Sequence, residues 1–130
     1  MGLQRSYALD TSVLIVYYYK RNLDDIIREG YINVVTLSET LYVICRMEGV
    51  EEALKYVEKL AKEANLVPSH KLVCIAGQFK CKYRISLSDA WTLATAKVEN
   101  VPALYAIRKR EIIDIIDRLR EDVHVEFLWQ

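Results

Sequence analysis

Short solid runs of apolar residues alternate along this chain with longer stretches in which apolar positions recur every three or four residues. The first kind of pattern marks buried strands and the second amphipathic helices. "SYALD" (6–10) is a short apolar run ending in an acid, and "SVLIVYYYKR" after it is apolar enough for a buried helix. "LDDIIREG" (23–30) predicts a short amphipathic helix stopped by Gly30, and "YINVV" (31–35) a β-branched strand. "TLSETLYVICRMEG" (36–49) opens on a capping signal and closes on Gly49. In "VEEALKYVEKLAKEA" (50–64), Val50, Leu54, Val57 and Leu60 form one apolar stripe opposite an acid-base face. "NLVPS" reads as a short extended piece, and "HKLVCIAGQFKCKYR" (70–84) as a helix with a basic end. "ISLSDAWTLATA" (85–96) predicts a helix that is apolar on almost every side. After it come a strand in "VPALYAI" (101–107), a helix in "REIIDIIDRLRED" (110–122) and an alternating strand in "VHVEFLW" (123–129).

Strands and helices alternate throughout, with connections too long for hairpins. That order implies right-handed crossovers, hence an α/β fold in three layers: a mainly parallel sheet with helices on both faces. At 130 residues, without repeats or a linker-like segment, residues 1–130 are expected to form a single domain. In such sheets, ligands bind beyond the carboxyl ends of the strands, where each strand passes into its helix.

Composition narrows the functional classes. The 18 basic and 18 acidic residues cancel, so contact with nucleic acid would need local basic patches. The opening "YALDTSVLIVYYY" carries an aspartate and is too short and too aromatic for a membrane span or signal peptide, so a cytoplasmic location without membrane contact is expected. Cys45, Cys74 and Cys81 contain no Cys-x-x-Cys pair. The nearest two, seven residues apart on a helix, would stand about 10 Å apart, beyond disulfide reach. Free thiols in a reducing compartment are expected.

Three acids stand at strand-to-helix transitions: Asp10 after the first strand, Glu39 after the second, and Asp89 at the start of the helix at 85–96. Each also fits a capping role, since "TLSE" and "SLSD" match the Ser/Thr-x-x-acid box and "DTS" can open a helix. Together they can converge at one sheet edge, where clustered carboxylates require a cation. Hard ions such as Mg²⁺ or Mn²⁺ take carboxylate oxygens, lower the pKa of a bound water and clamp a phosphodiester. No G-x-S-x-G, no Gly-rich phosphate loop and no zinc spacing at His70 or His124 offers another chemistry.

These segments resemble the PIN-domain ribonucleases, including the VapC-type toxins of toxin–antitoxin pairs. "YALDTSVLI" is similar to the family's first strand and acid, "VVTLSETLYVI" to its second and "ISLSDAWTLATA" to its third, the most specific of the three. The likeness runs from about residue 6 to residue 128. It implies a Rossmann-like sheet, Mg²⁺- or Mn²⁺-dependent RNA cleavage, and Asp10, Glu39 and Asp89 as metal-binding catalytic residues, with Ser12 in support. It further implies a homodimer and, in a toxin, an antitoxin partner. The chain departs from the family after "VPALYA", where Ile107 and Arg108 stand in the place of a further aspartate, leaving Glu111 as the nearest catalytic substitute.

Basic side chains near these acids suggest phosphate contacts, from Arg108, Lys109 and Arg110 in "IRKRE" and from Lys80, Lys82 and Arg84 in "FKCKYR", where Tyr83 could stack on a base. Either segment also fits a solvated helix end. The altered "AIRKRE" equally suits a PIN-like domain that has lost efficient catalysis and binds a protein or ribonucleoprotein partner. A phosphoacceptor receiver domain fits less well, because the first strand ends in one acid and "VHVEFLW" ends without lysine. Apolar positions on the 37–47 and 50–64 helices, Tyr42, Tyr56 and Val57 among them, suit an interface between copies, although core packing is the simpler account for any one of them.

Overall fold

The computed structural model describes residues 5–129. Five short strands form one sheet in the order β3-β2-β1-β4-β5, all parallel: β1 is Ala8–Leu9, β2 Tyr31–Ile32, β3 Asn65–Leu66, β4 Ala103–Tyr105 and β5 Val125–Phe127. The helices are α1 (Thr11–Lys20), α2 (Asp24–Arg28), α3 (Val34–Glu48), α4 (Val50–Glu63), α5 (Val73–Lys82), α6 (Leu87–Glu99), α7 (Arg110–Ile113) and α8 (Ile116–Leu119).

Successive strand residues point to opposite faces, and two hydrophobic cores follow from that alternation. Ala8, Ala103 and Tyr105 face a core with Leu93, Phe79, Ile112 and Leu119, from α5 to α8. Leu9, Ile32 and Leu104 face the other, with Val13, Tyr17, Ile44 and Leu60, from α1, α3 and α4. The sheet is therefore sandwiched in the three layers expected.

At Gly30 the chain passes so close to β1 that a Cβ would lie 2.5 Å from Leu9 Cδ1 and 2.8 Å from the Ile26 carbonyl oxygen. Arg21 (φ 58) and Asn100 (φ 55) close α1 and α6 in the left-handed region, and Asn suits that position well.

Several boundaries differ from the sequence reading. The strand expected over 31–35 stops at Ile32, because Asn33 caps α3. Its Oδ1 accepts from the Thr36 N–H (2.9 Å), while the Asn33 N–H donates to Thr36 Oγ1 (3.3 Å). The capping box is thus Asn33–Thr36 and not Thr36–Glu39, which leaves Glu39 one turn inside α3. The helix expected over 110–122 is two short ones, because the Ile115 N–H bonds to the Ile112 carbonyl (3.1 Å) in a tighter turn that buries both isoleucines. A 3₁₀ turn, Ser69–Lys71, precedes α5 in the stretch read as one helix. Tyr56 packs in the core, the simpler of its two readings: its hydroxyl donates to the Leu14 carbonyl, and Tyr18 packs on its ring edge-on. Val57 packs partly against the same core, while Tyr42 remains half exposed. The three cysteines are free.

Candidate active site

The carboxyl ends of β1 and β4 lie side by side, and each delivers part of one cleft. The Asp10 N–H donates to the Leu104 carbonyl (3.0 Å), which pins the end of β1 to β4. Asp10 is the N-cap of α1, its Oδ2 accepting from the Ser12 N–H (2.9 Å). Two residues on, Ser12 Oγ accepts from the Ala106 N–H (2.9 Å) and ties the same helix start to the residue after β4. Capping therefore does not remove Asp10 from the site; it fixes where the carboxylate stands.

Asp89 sits at the third position of α6. Its N–H donates to Ser86 Oγ (3.0 Å), the serine half of the expected box. Its carboxylate turns away from the cap: Tyr105 OH donates to Oδ1 (3.3 Å), and the Lys109 ammonium lies 3.0 Å from Oδ1 and 2.9 Å from Oδ2. The side chain is 0% exposed. Glu39 approaches from α3, half-buried, with Ser88 Oγ donating to its Oε1 (2.6 Å). Ser88 and Asp89 are neighbours on α6, so one helix start orients two acids.

Asp10, Ser12, Glu39, Tyr105, Ile107 and Lys109 line an open cleft of about 310 Å³. Electrostatics there follow from burial. Loss of water pushes Asp10 up to about 6, and the nearby Asp89 charge adds to the rise, against the opposing pull of the Ser12 hydrogen bonds and Lys109. Burial, together with the charges of Asp10 and Asp89, drives the Tyr105 phenol well above its usual value, so it remains a donor at neutral pH. Burial favours a neutral Lys109, but the hydrogen bond and charge of Asp89 outweigh it and raise the lysine, which stays an ammonium.

The other expected residues fall around this centre in different ways. Glu111 is exposed on the first turn of α7, where its charge is felt by Lys109 and Tyr105. Arg108 lies over the Phe127 ring (5.5 Å), and Arg110 is exposed beside Asp114 at 4.0 Å. The "FKCKYR" segment is used elsewhere: Lys80 Nζ donates to the Ile85 carbonyl (2.8 Å) and Lys82 pairs with Asp122 (3.4 Å). Tyr83 is buried with its ring stacked near Phe79, which removes it as a base-stacking platform. Ser88 and Tyr105 escaped the sequence reading, although Ser88 adjoins Asp89 inside "SLSD" and Tyr105 ends an apolar strand with a hydroxyl.

The donor chemistry suits a hard divalent cation. Asp10, Glu39 and Asp89 offer carboxylate oxygens, and two of the acids are almost wholly buried. Among the described residues no three acid, histidine or cysteine side chains are drawn together closely enough to hold an ion. The positive charge that Asp89 meets is Lys109.

A family model described as the PIN domain matches residues 7–119. No curated protein matches the sequence. Among solved structures, DNA-bound VapBC from Salmonella typhimurium is similar with a TM-score of 0.69 at 14% identity, over 96% of this chain and 98% of that one. VapBC2 from Rickettsia felis, bound to a DNA fragment from their promoter, gives 0.65 at 16% identity over 94% and 98%. VapBC-5 from Mycobacterium tuberculosis, from a family of toxin-antitoxin systems, gives 0.58 at 20% identity over 95% and 98%. At such identities the likeness is one of fold.

Proposed function

We propose, from the premise that this chain belongs to the PIN-domain family, that it is a metal-dependent endoribonuclease and the toxin of a toxin–antitoxin pair. The observation that carries this reading is the placement of Asp89. A carboxylate with no exposure, held by Tyr105 and by the ammonium of Lys109, stands beside the cleft that Asp10 and Glu39 line. Burying an acid in that way is costly for a cap alone, since an exposed carboxylate would complement the helix dipole equally well.

In this reading Asp10, Glu39 and Asp89 hold Mg²⁺ or Mn²⁺, which when bound supplies a water of lowered pKa and positive charge against the phosphodiester. Tyr105 and Ser88 orient Asp89 and Glu39 through their hydroxyls, and Ser12 keeps the start of α1 in register with the end of β4. Lys109, with Arg108 and Arg110 on the same segment, contacts RNA phosphates, and Glu111 takes the role of the later acid. Hydrolysis adds water across one P–O bond, the attacking oxygen losing a proton and the departing oxygen gaining one.

Solved structures with a similar fold are complexes named as VapBC or as toxin-antitoxin, which supports a protein antitoxin as partner. The half-exposed Tyr42, Met47, Val50 and Leu54 on α3 and α4 support a homodimer. Among the described residues no helix is long and apolar enough to cross a membrane, and we place the protein in the cytoplasm.

Cleavage of labelled single-stranded RNA in Mn²⁺, Mg²⁺ or EDTA, comparing wild type with Asp89→Asn, tests the proposal. Metal-dependent cleavage that falls at least about a hundredfold in a folded Asp89→Asn variant is expected from loss of a charged ligand. No cleavage in any metal would instead favour a PIN-like partner-binding domain, a reading that the Lys109 ammonium on Asp89 favours.

A further inference from the structure

A fully buried carboxylate must be compensated, and this chain compensates Asp89 from within. The Lys109 ammonium lies within 3.0 Å of both oxygens, while its own side chain is 39% exposed and lines the cleft. It therefore stands between Asp89 and the opening through which any ligand arrives. Lys109 follows the short segment from Ala106, and that segment is anchored at its start by the Ala106 N–H to Ser12 Oγ bond (2.9 Å). The backbone is held there, whereas four methylenes leave the ammonium free to swing. The charges of Asp10 and Glu111 add further attraction for the ammonium.

We infer that Lys109 is a tethered cation that competes with a divalent ion for Asp89 and, once displaced, takes a phosphate of the nucleic acid: a positioning residue that couples metal loading to substrate binding. The inference rests on the metal-binding reading above. The oxygens that would face the metal are those the ammonium occupies, and one carboxylate edge cannot serve both cations at these distances. Lysine suits this exchange better than arginine, whose planar fork would bind a carboxylate through two bonds and resist release. Because linkage is reciprocal, a phosphate that draws the ammonium away strengthens metal binding by the same factor that metal strengthens phosphate binding.

Titration calorimetry of Mn²⁺ on the full chain tests this, with wild type, Lys109→Met and Lys109→Gln, each with and without a 2′-O-methyl RNA oligonucleotide that resists cleavage. The glutamine variant retains a donor for Asp89 without the charge and guards against failure of the methionine variant to fold. Removing the ammonium is expected to tighten Mn²⁺ about tenfold, equivalent to about 1.4 kcal/mol. The oligonucleotide is expected to tighten Mn²⁺ in wild type and to have little effect in either variant. Equal or weaker Mn²⁺ affinity in a folded variant overturns the inference while leaving the nuclease reading intact. Absence of Mn²⁺ binding in all three proteins overturns the metal reading and the inference with it.

Discussion

Asp10 shows how one side chain serves structure and site together. It caps α1 through the Ser12 N–H, a role any reader of "DTS" would assign, yet burial has pushed its carboxyl up to about 6. A raised acid weakens the fold as it ionises. Below pH 3.8, where both states are protonated, there is no penalty; between 3.8 and 6 the unfolded chain ionises first, and above 6 the full cost applies. At about 1.4 kcal/mol per pKa unit that cost is about 3 kcal/mol. Asn retains the capping oxygen without the charge, so the metal-free Asp10→Asn variant is expected to be more stable than wild type at pH 7.5 and nearly equal at pH 4. Urea unfolding at the two pH values measures this, and a stability difference independent of pH would show that burial does not govern Asp10. The positions of Asp10, Glu39 and Asp89 were legible because each follows a recognisable change of pattern. Lys109 was legible as a basic residue near the acids but not as the partner of Asp89, since that pairing depends on how the segment after β4 folds back over α6.

Elements were legible where periodicity was long and boundaries failed where side chains intervened. α4 runs Val50–Glu63, close to the span that its periodicity predicts, but it buries Ala53, Tyr56 and Leu60 and leaves Val50 and Leu54 of the expected stripe about half exposed. α3 begins earlier than "TLSE" suggests, because Asn33 is the better cap and has further partners across the molecule. Its Nδ2 donates to Thr95 Oγ1 (2.9 Å) and to the Trp91 carbonyl (3.2 Å), fastening the start of α3 to α6, the helix that carries Ser88 and Asp89. No local pattern encodes that bridge. Loss of a cap costs about 1 kcal/mol, and stranding buried partners adds about 1–3 kcal/mol. Asn33→Ala is therefore expected to lose about 2–4 kcal/mol in denaturant unfolding and to reduce cleavage by loosening Glu39 against Ser88. A loss below about 0.5 kcal/mol, ordinary for an exposed surface change, would mean that the bridge contributes little.

At the scale of the molecule, the parallel order β3-β2-β1-β4-β5 follows from alternation and right-handed crossovers, and it places β1 at the centre with its carboxyl end beside that of β4. That much the chain announces, and it brings Asp10 and Asp89 to one edge however short the strands are. What single-chain patterning leaves open is which apolar surface has no home inside. Core packing, the simpler reading, holds for Tyr56 and in part for Val57, whereas Tyr42, Met47, Val50 and Leu54 are left about half exposed on the α3–α4 pair. If these side chains meet a second copy, charge placed among them must separate the copies without disturbing either core. Tyr42→Glu combined with Leu54→Glu is expected to halve the mass seen by sedimentation velocity, while circular dichroism and the unfolding midpoint at low protein concentration change little. A monomeric wild type, or a dimer that survives both glutamates, would assign this surface to another partner, and binding of a purified antitoxin to the same variants would then show whether the surface is shared with it.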